Sequence, residues 1–268
     1  MNITLSEFDI LNIIQDSLSN KKPLLITRFG EGEMRMYESE EQTNWILKNM
    51  LGYVPDPKII IEIKNNMELA LINSDITGLP SYKKFLKEED VMKTDLHFLY
   101  KKIYHNFRNI FSRHNVSELD FKFCDVNVHS KFTHSKLFEK LLSNYNDLTI
   151  ITCRDIENEL KNYFNIKNIH SYLIPPEYKY EDNPNSKKWN FYPDIHNQIK
   201  TDILSNDNTG KLLLYGAGLA GKDLGYYFKK TGGVAFDIGS IFDHWAGKKT
   251  RGEGKGRGIY FESPLKTK

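Results

Sequence analysis

The second half of the chain alternates short apolar runs with longer amphipathic segments, and no other feature constrains the fold as strongly. Each apolar run has the length of a buried strand, and the segment that follows carries apolar residues at helical spacing. Strands are predicted over 148–152, 169–174, 211–215 and 234–237, and helices over 156–164, 195–204 and 220–230. Strands that alternate with helices predict a parallel sheet with helical crossovers.

The first half continues this pattern less regularly. Helices are predicted over 6–18, 34–47, 58–73, most of 81–111, and 133–142, and strands over 23–27 and 121–128. Because neither a repeat nor a linker separates the halves, we expect a single α/β domain over 1–247, with a Rossmann-like, mostly parallel sheet flanked by helices. Residues 248–268 hold seven Lys or Arg and two Glu, which predicts a basic, Gly-rich C-terminal tail.

Composition and charge argue against several classes of protein. The formal net charge of +2 provides no global basic field for nucleic acid. Cys124 and Cys153 lack the spacing of a zinc site, and free thiols are typical of a reducing compartment. The amphipathic N-terminus does not read as a signal peptide, and no apolar run is long enough to span a membrane. We therefore expect a cytoplasmic protein without a transmembrane segment.

A charged, glycine-spaced turn follows the strand predicted over 23–27. Its sequence is Arg28-Phe29-Gly30-Glu31-Gly32-Glu33. In an extended turn, Gly32 would let the carboxylates of Glu31 and Glu33 approach one point, where a hard cation such as Mn²⁺ or Mg²⁺ would hold them together. Arg28 would offer its guanidinium to a phosphate. The alternative interpretation is that both glutamates begin a helix and stabilise its N-terminus.

A second glycine-rich turn follows the strand predicted over 211–215 and opens a helix. It contains Gly216, Gly218 and Gly221, and Asp237 ends the next predicted strand. This arrangement matches the dinucleotide-binding fingerprint, in which a helix N-terminus holds a phosphate and the acidic residue binds a ribose. Tight packing of the strand against the helix is an equally open interpretation.

Two further elements follow predicted strands. Asp243, His244 and Trp245 come after the last strand, where the indole would stack on a sugar or base and either neighbour would act as a general base. The alternative is that Trp245 anchors its loop to the core. Arg154 follows the strand predicted over 148–152 and would reach the same crevice, at the carboxyl ends of the strands.

Taken together and in this order, these motifs resemble the GT-D glycosyltransferases, a family first described as a domain of unknown function. The matching segments, spread over roughly residues 20–247, are Arg28–Glu33, Thr152–Asp155, Gly216–Gly221 and Asp237–Gly239. The resemblance implies that Glu31 and Glu33 stand at the family's Asp-x-Glu motif, which holds Mn²⁺ or Mg²⁺ and the donor diphosphate. Phe29, Gly30 and Arg28 then belong to the donor site.

The resemblance further implies a metal-dependent transfer of sugar from a nucleoside-diphosphate sugar, most simply a UDP-sugar, to a glycan or glycoprotein acceptor. Two alternatives stay open. One is an NAD(P)-dependent oxidoreductase that uses the turn at 216–221, and the other is a non-catalytic nucleotide-binding module. The sequence leaves homo-oligomerisation open.

Overall fold

An eight-stranded sheet, in which every described pair of neighbouring strands runs parallel, forms the centre of the fold. The structure, a computed structural model, describes residues 3–80, 95–143, 145–177, 191–248 and Leu265. The strands are β1 (Ile3–Leu5), β2 (Leu24–Arg28), β3 (Ile76–Leu79), β4 (Lys122–Asp125), β5 (Asp147–Thr152), β6 (Asn168–Leu173), β7 (Leu212–Tyr215) and β8 (Val234–Asp237). Their spatial order is β1-β4-β3-β2-β8-β7-β5-β6. The prediction of a parallel α/β sheet flanked by helices is confirmed.

Helices connect the strands and cover the sheet. They are α1 (Glu7–Ser19), α2 (Glu31–Arg35), α3 (Glu40–Leu51), α4 (Pro57–Ile72), α5 (Asp95–Arg113), α6 (Val128–His134), α7 (Leu137–Leu142), α8 (Glu157–Phe164), α9 (His196–Ser205), α10 (Lys222–Lys230) and α11 (Ile241–Trp245). A 3₁₀ turn at Leu219–Gly221 leads into α10. Within the described ranges, no helix has both the length and the apolar character needed to cross a membrane.

The two faces of the sheet carry separate hydrophobic cores. One core includes residues of α2–α5, α9 and α10, and the other includes residues of α1, α6–α8 and α11. Neighbouring residues of β2 divide between them, since Leu25 packs in the first core while Leu24 and Ile26 pack in the second. Burial on both faces explains why the strands read as continuous apolar runs rather than as alternating ones.

The crossovers obey one handedness, and this creates a crevice. Connections that run towards the β1 edge use the first face, and connections that run towards the β6 edge use the second. Consequently α8 leaves β5 and α10 leaves β7 in opposite directions, although the two strands are neighbours. Ligands of open α/β sheets bind at such points, outside the carboxyl ends of the strands.

A buried contact between a histidine and an aspartate fixes the start of α10. His196 of α9 and Asp223 of α10 are both fully buried, with His196 Nε2 lying 2.9 Å from Asp223 Oδ1. The ring of Tyr192 lies 4.8 Å from the imidazole and covers it. A buried polar group without a hydrogen-bond partner would be costly, so this contact favours one relative position of α9 and α10.

Several predicted elements differ from the observed ones. The strands β1 and β3 were not predicted, because three or four residues are too few to show a pattern and tertiary pairing stabilises them. The predicted strand over 121–128 ends at Asp125, and the predicted helix over 133–142 is two helices joined at Lys136, which adopts φ 51°. The part of the predicted helix over 81–94 lies outside the described residues, as does most of the predicted tail.

Gly225 lies where α10 packs tightly against the sheet. A methyl group at this position would lie 2.6 Å from the Tyr215 hydroxyl oxygen and 2.8 Å from Leu25 Cδ1. Gly32 in α2 provides the opposite case, since no heavy atom lies within 4 Å of the same point. Substitution at these two positions therefore distinguishes the effect of close packing on stability from the effect of helix propensity.

We expect Gly225→Ala to lower the free energy of unfolding by about 1–3 kcal/mol, because overpacking outweighs the better helix propensity of alanine. Gly32→Ala is the control, and we expect it to be neutral or to stabilise by up to about 1 kcal/mol. Urea unfolding at neutral pH measures both. Equal stability of the two variants would contradict the close approach of α10.

Candidate active site

The motifs selected from the sequence meet at the carboxyl edge of the sheet. Arg28 ends β2 and Asp237 ends β8, and these two strands are direct neighbours. The turn at Gly216–Gly221 follows β7, and Arg154 follows β5. Since β8, β7 and β5 also lie side by side, residues from distant parts of the chain share one edge.

The Arg28 guanidinium ties this edge together. Its Nε donates to the Asp237 carbonyl oxygen at 2.9 Å, and its Nη2 lies 3.2 Å from Asp237 Oδ1. Its Nη1 donates to the Val126 carbonyl oxygen at 3.1 Å and lies 2.7 Å from His129 Nδ1. A Cβ at Gly239, where φ is +51°, would lie 2.1 Å from Nη2, so only glycine leaves room for this side chain. The Arg28 guanidinium, which was predicted to bind a phosphate, is thus occupied by contacts within the protein.

Lys222 is the central cation of the site, and its role was not predicted from the sequence. Its Nζ donates to the Arg28 carbonyl oxygen at 2.6 Å and to Asp237 Oδ2 at 2.5 Å, and it forms an ion pair with Glu33 Oε1 at 3.1 Å. The residue is 3% exposed. Its position directly after Gly221 is the signal that was available, because a lysine after a glycine-rich turn is typical of phosphate-binding loops.

Glu31 and Glu33 do not converge. Both lie in the first turn of α2, where residues two apart point to different sides of the helix. Glu33 Oε2 accepts the Gly30 N–H at 2.9 Å, and Glu31 instead pairs with Arg35 and keeps 47% of its side chain exposed. The predicted extended turn is therefore wrong, and the alternative that these glutamates begin a helix is confirmed.

A divalent cation at Glu31 and Glu33 stays a prediction, and the donor set in this arrangement does not fit one. Each of the two carboxylates already has a cationic partner. Across the described part of the chain, no three His, Cys, Asp or Glu side chains are grouped so as to hold a metal ion.

Glu33 and Asp237 form an acidic cluster around Lys222 and Arg28, and both carboxylates are ionised. Burial raises the pKa of Asp237, but the Lys222 ammonium and the Arg28 guanidinium outweigh burial and lower it to about 2. Burial also raises the pKa of Glu33, and the Lys222 ammonium again prevails, so the net direction is downward. Two carboxylates thus face one guanidinium and one ammonium, and these four charges balance.

Phe29 supports this cluster from within the core. Its side chain is buried and packs edge-on against Phe107, with ring centroids 6.1 Å apart. Lys222 Nζ lies 5.6 Å from the Phe29 ring centroid, within the range of a cation–π contact. Phe29 therefore lies beneath the turn, which corrects the expectation that it contacts a donor directly.

The glycine-rich turn after β7 is tightly packed. A Cβ at Gly216 would lie 2.6 Å from the carbonyl oxygen of Gly239, and a Cβ at Gly221 would lie 2.5 Å from Ala217 Cβ. Gly218 adopts φ +61°, a conformation that favours glycine. These contacts support the packing interpretation, and they also bring the turn against the end of β8.

A crevice opens beside this turn, at the end of β5. Its volume is about 290 Å³, and its lining consists of Cys153, Arg154, Asp155, Ile156, Glu159, Trp245, Ala246 and Lys248. Arg154 Nε donates to Asp243 Oδ1 at 2.7 Å, which joins β5 to α11. The prediction that Arg154 lies close to the residues after the last strand agrees with this ion pair.

Trp245 and His244 are both buried. Trp245 is 3% exposed and packs edge-on against Phe138 and Phe242, with ring centroids 5.1 and 5.7 Å away. The prediction of a free stacking surface is therefore wrong, and the alternative of a core anchor is confirmed. Burial, followed by the nearby His134, lowers the pKa of His244, so its imidazole is neutral at neutral pH.

The lowered pKa of Asp237 predicts a loss of stability in acid. Because the folded state holds the carboxylate deprotonated, stability is complete above the unfolded pKa, near 4, and is lost as pH falls through about 2. For Asp237 the loss is about 2 kcal/mol. We expect Asp237→Asn to flatten this part of the pH profile of the free energy of unfolding, whereas Glu41→Gln, at an exposed carboxylate, leaves it unchanged. An unchanged profile in Asp237→Asn would contradict the ion pair.

Comparison with known proteins identifies the fold. No protein-family model matches the sequence, and no curated protein matches it. One similar solved structure is described as a new glycosyltransferase (DUF1792) from Streptococcus sanguinis, with 19% identity, a TM-score of 0.52 and coverage of 91% of this chain and 84% of that chain.

Two further structures are similar at 13% identity, each covering 91% of this chain and 80% of that chain. One is described as domain of unknown function 1792, with a TM-score of 0.53. The other, with a TM-score of 0.51, carries the description that this domain has a distinct glycosyltransferase fold. The chain therefore has the fold described for DUF1792, as the resemblance to GT-D proteins implied.

Proposed function

We propose that this protein is a glycosyltransferase that moves a sugar from a nucleoside-diphosphate sugar, most simply a UDP-sugar, to a glycan or glycoprotein acceptor. The observation that carries the proposal is a shared fold: a structure of the same fold is described as a glycosyltransferase. The ion pairs of Arg28 with Asp237 and of Arg154 with Asp243 lie at the carboxyl edge of the sheet, where ligands of open α/β folds bind.

The crevice at the end of β5 is the proposed donor site. Arg154 and Lys248 line it, and both are cations that suit a diphosphate. The Asp243 carboxylate receives the Arg154 Nε–H and thereby orients the guanidinium. When the bond between the sugar and the diphosphate breaks, negative charge grows on the leaving nucleoside diphosphate, and a preoriented guanidinium stabilises it.

The acceptor hydroxyl must lose a proton during the transfer. Asp243 and His244 are the proposed bases, since Asp243 contacts Arg154, which lines the crevice. His244 follows it in α11 and holds a neutral imidazole at neutral pH, the form that accepts a proton. A pH profile of each single variant separates the two residues.

The geometry gives less support to an NAD(P)-dependent oxidoreductase. Such an enzyme needs an acidic residue at the end of the strand after the glycine-rich turn and its helix, where the carboxylate accepts a hydrogen bond from a ribose hydroxyl. Asp237 occupies that position, but it is 2% exposed and already receives hydrogen bonds from Lys222 and Arg28. A non-catalytic nucleotide-binding module would share the crevice and differ only in the absence of turnover.

We expect Arg154→Ala to raise the KM for the donor by about tenfold to a hundredfold, because it removes a charge-assisted contact to the diphosphate. The measurement is release of UDP from a panel of UDP-sugars with an acceptor mixture. Arg108→Ala is the matched control, since Arg108 pairs with Glu118 near the opposite edge of the sheet. Equal KM values for the two variants would refute the placement of the donor.

The same assay separates the three functions. Release of UDP with formation of a glycosylated product supports the transferase. Binding of UDP without turnover of any donor supports the non-catalytic module. Oxidation of NADH or NADPH with no response to UDP-sugars supports the oxidoreductase and overturns the proposal.

A further inference from the structure

We infer that the Lys222 ammonium is the resident cation of the acidic cluster, so that the donor site is organised without a divalent metal ion. The catalytic part of this inference rests on the proposed glycosyltransferase function. The structural part, that a tethered ammonium occupies the place of the metal, stands on the contacts of Lys222 alone.

The Lys222 ammonium has as many oxygen partners as it has protons. It donates to the Arg28 carbonyl oxygen and to Asp237 Oδ2 at 2.6 and 2.5 Å, and Glu33 Oε1 lies 3.1 Å away as the third oxygen partner. An ammonium has three N–H bonds beyond its carbon, so all three are satisfied. These three oxygens come from β2, β8 and α2, the elements that a metal ion at this position would join.

The position of Lys222 in its helix supports the same inference. It is the first residue of α10, where the helix dipole disfavours a cation. A lysine is stable there, almost fully buried, because two carboxylates and a carbonyl oxygen surround its ammonium. The neighbouring buried contact between Asp223 and His196 fixes the start of α10. It thereby fixes the position of the Lys222 backbone, from which the side chain extends to the cluster.

A divalent ion would have few ligands left. Glu33 directs its second oxygen to the Gly30 N–H at 2.9 Å, and Asp237 directs its other oxygen to Arg28 Nη2 at 3.2 Å. Glu31 points away and pairs with Arg35. An added ion would also bring two positive charges beside an ammonium and a guanidinium that already balance the carboxylates.

Lys222 thus acts as a positioning residue. It does not reach the crevice, because it is 3% exposed and its protons are engaged. It holds the turn after β2 and the turn after β8 in one arrangement, and the latter leads into α11 with Asp243. Its removal should therefore affect stability and the donor site together.

The first test uses the wild-type protein and Mn²⁺. We expect no saturable loss of the free Mn²⁺ electron paramagnetic resonance signal without nucleotide, and UDP affinities in EDTA and in Mn²⁺ that agree within about threefold. Saturable Mn²⁺ binding that Glu33→Gln abolishes would overturn the inference. So would a gain in UDP affinity of about tenfold or more with Mn²⁺ that this variant removes.

The second test asks whether a metal ion can replace the ammonium. We expect Lys222→Ala to lower the melting temperature by about 10 °C, because two buried carboxylates lose their cation, and Mn²⁺ to restore about half of that loss. Lys229→Ala is the matched control: Lys229, on the same helix, donates to the Asn73 carbonyl oxygen and to Asp75 at 2.8 and 2.9 Å, away from the cluster. Mn²⁺ should leave this control and the wild type unchanged.

The two tests separate the inference from the proposed function. If UDP binds neither with nor without Mn²⁺, the proposed function fails, whereas the Mn²⁺ response of Lys222→Ala still decides the role of the ammonium. If Mn²⁺ stabilises the wild type as strongly as Lys222→Ala, the inference fails. The wild-type titration remains decisive even where Lys222→Ala does not fold.

Discussion

One buried ammonium joins the ends of two neighbouring strands to the helix that follows the first of them. Lys222 contacts the end of β2 through the Arg28 carbonyl oxygen, the end of β8 through Asp237, and the first turn of α2 through Glu33. Arg28 completes the cluster by reaching from β2 to β8. Because a buried charge is tolerated only when it is paired, each of these groups requires the others.

The topology explains why this cluster and a crevice lie at the same edge of the sheet. Crossovers of one handedness send α10 over one face and α8 over the other, and the strands before them are neighbours. Arg154 lines the crevice at the end of β5, and Asp243 of α11 accepts a hydrogen bond from it. The cluster and the crevice proposed as the donor site thus share one edge, where ligands of open α/β sheets bind.

Part of the site was visible in the sequence because its residues follow strand ends. Arg28, Arg154 and Asp237 were selected for this reason, and the sheet brings them to one edge. The roles of others were misjudged because they depend on side-chain direction. Glu31 and Glu33 diverge since α2 begins at Glu31, and Trp245 faces an aromatic core rather than a ligand. Lys222 was missed because its partners are 15 and 194 residues away in the chain.

The sequence by itself determined the alternation of strands and helices, and hence a parallel α/β sheet, because local apolar spacing reports directly which segments are buried strands and which are helices. It also placed charged residues at strand ends. Only the tertiary structure decided which charges neutralise one another, since Arg28, Lys222, Glu33 and Asp237 meet through strand pairing and helix packing. The nature of the cation in the acidic cluster depends on such long-range contacts, which no local pattern encodes.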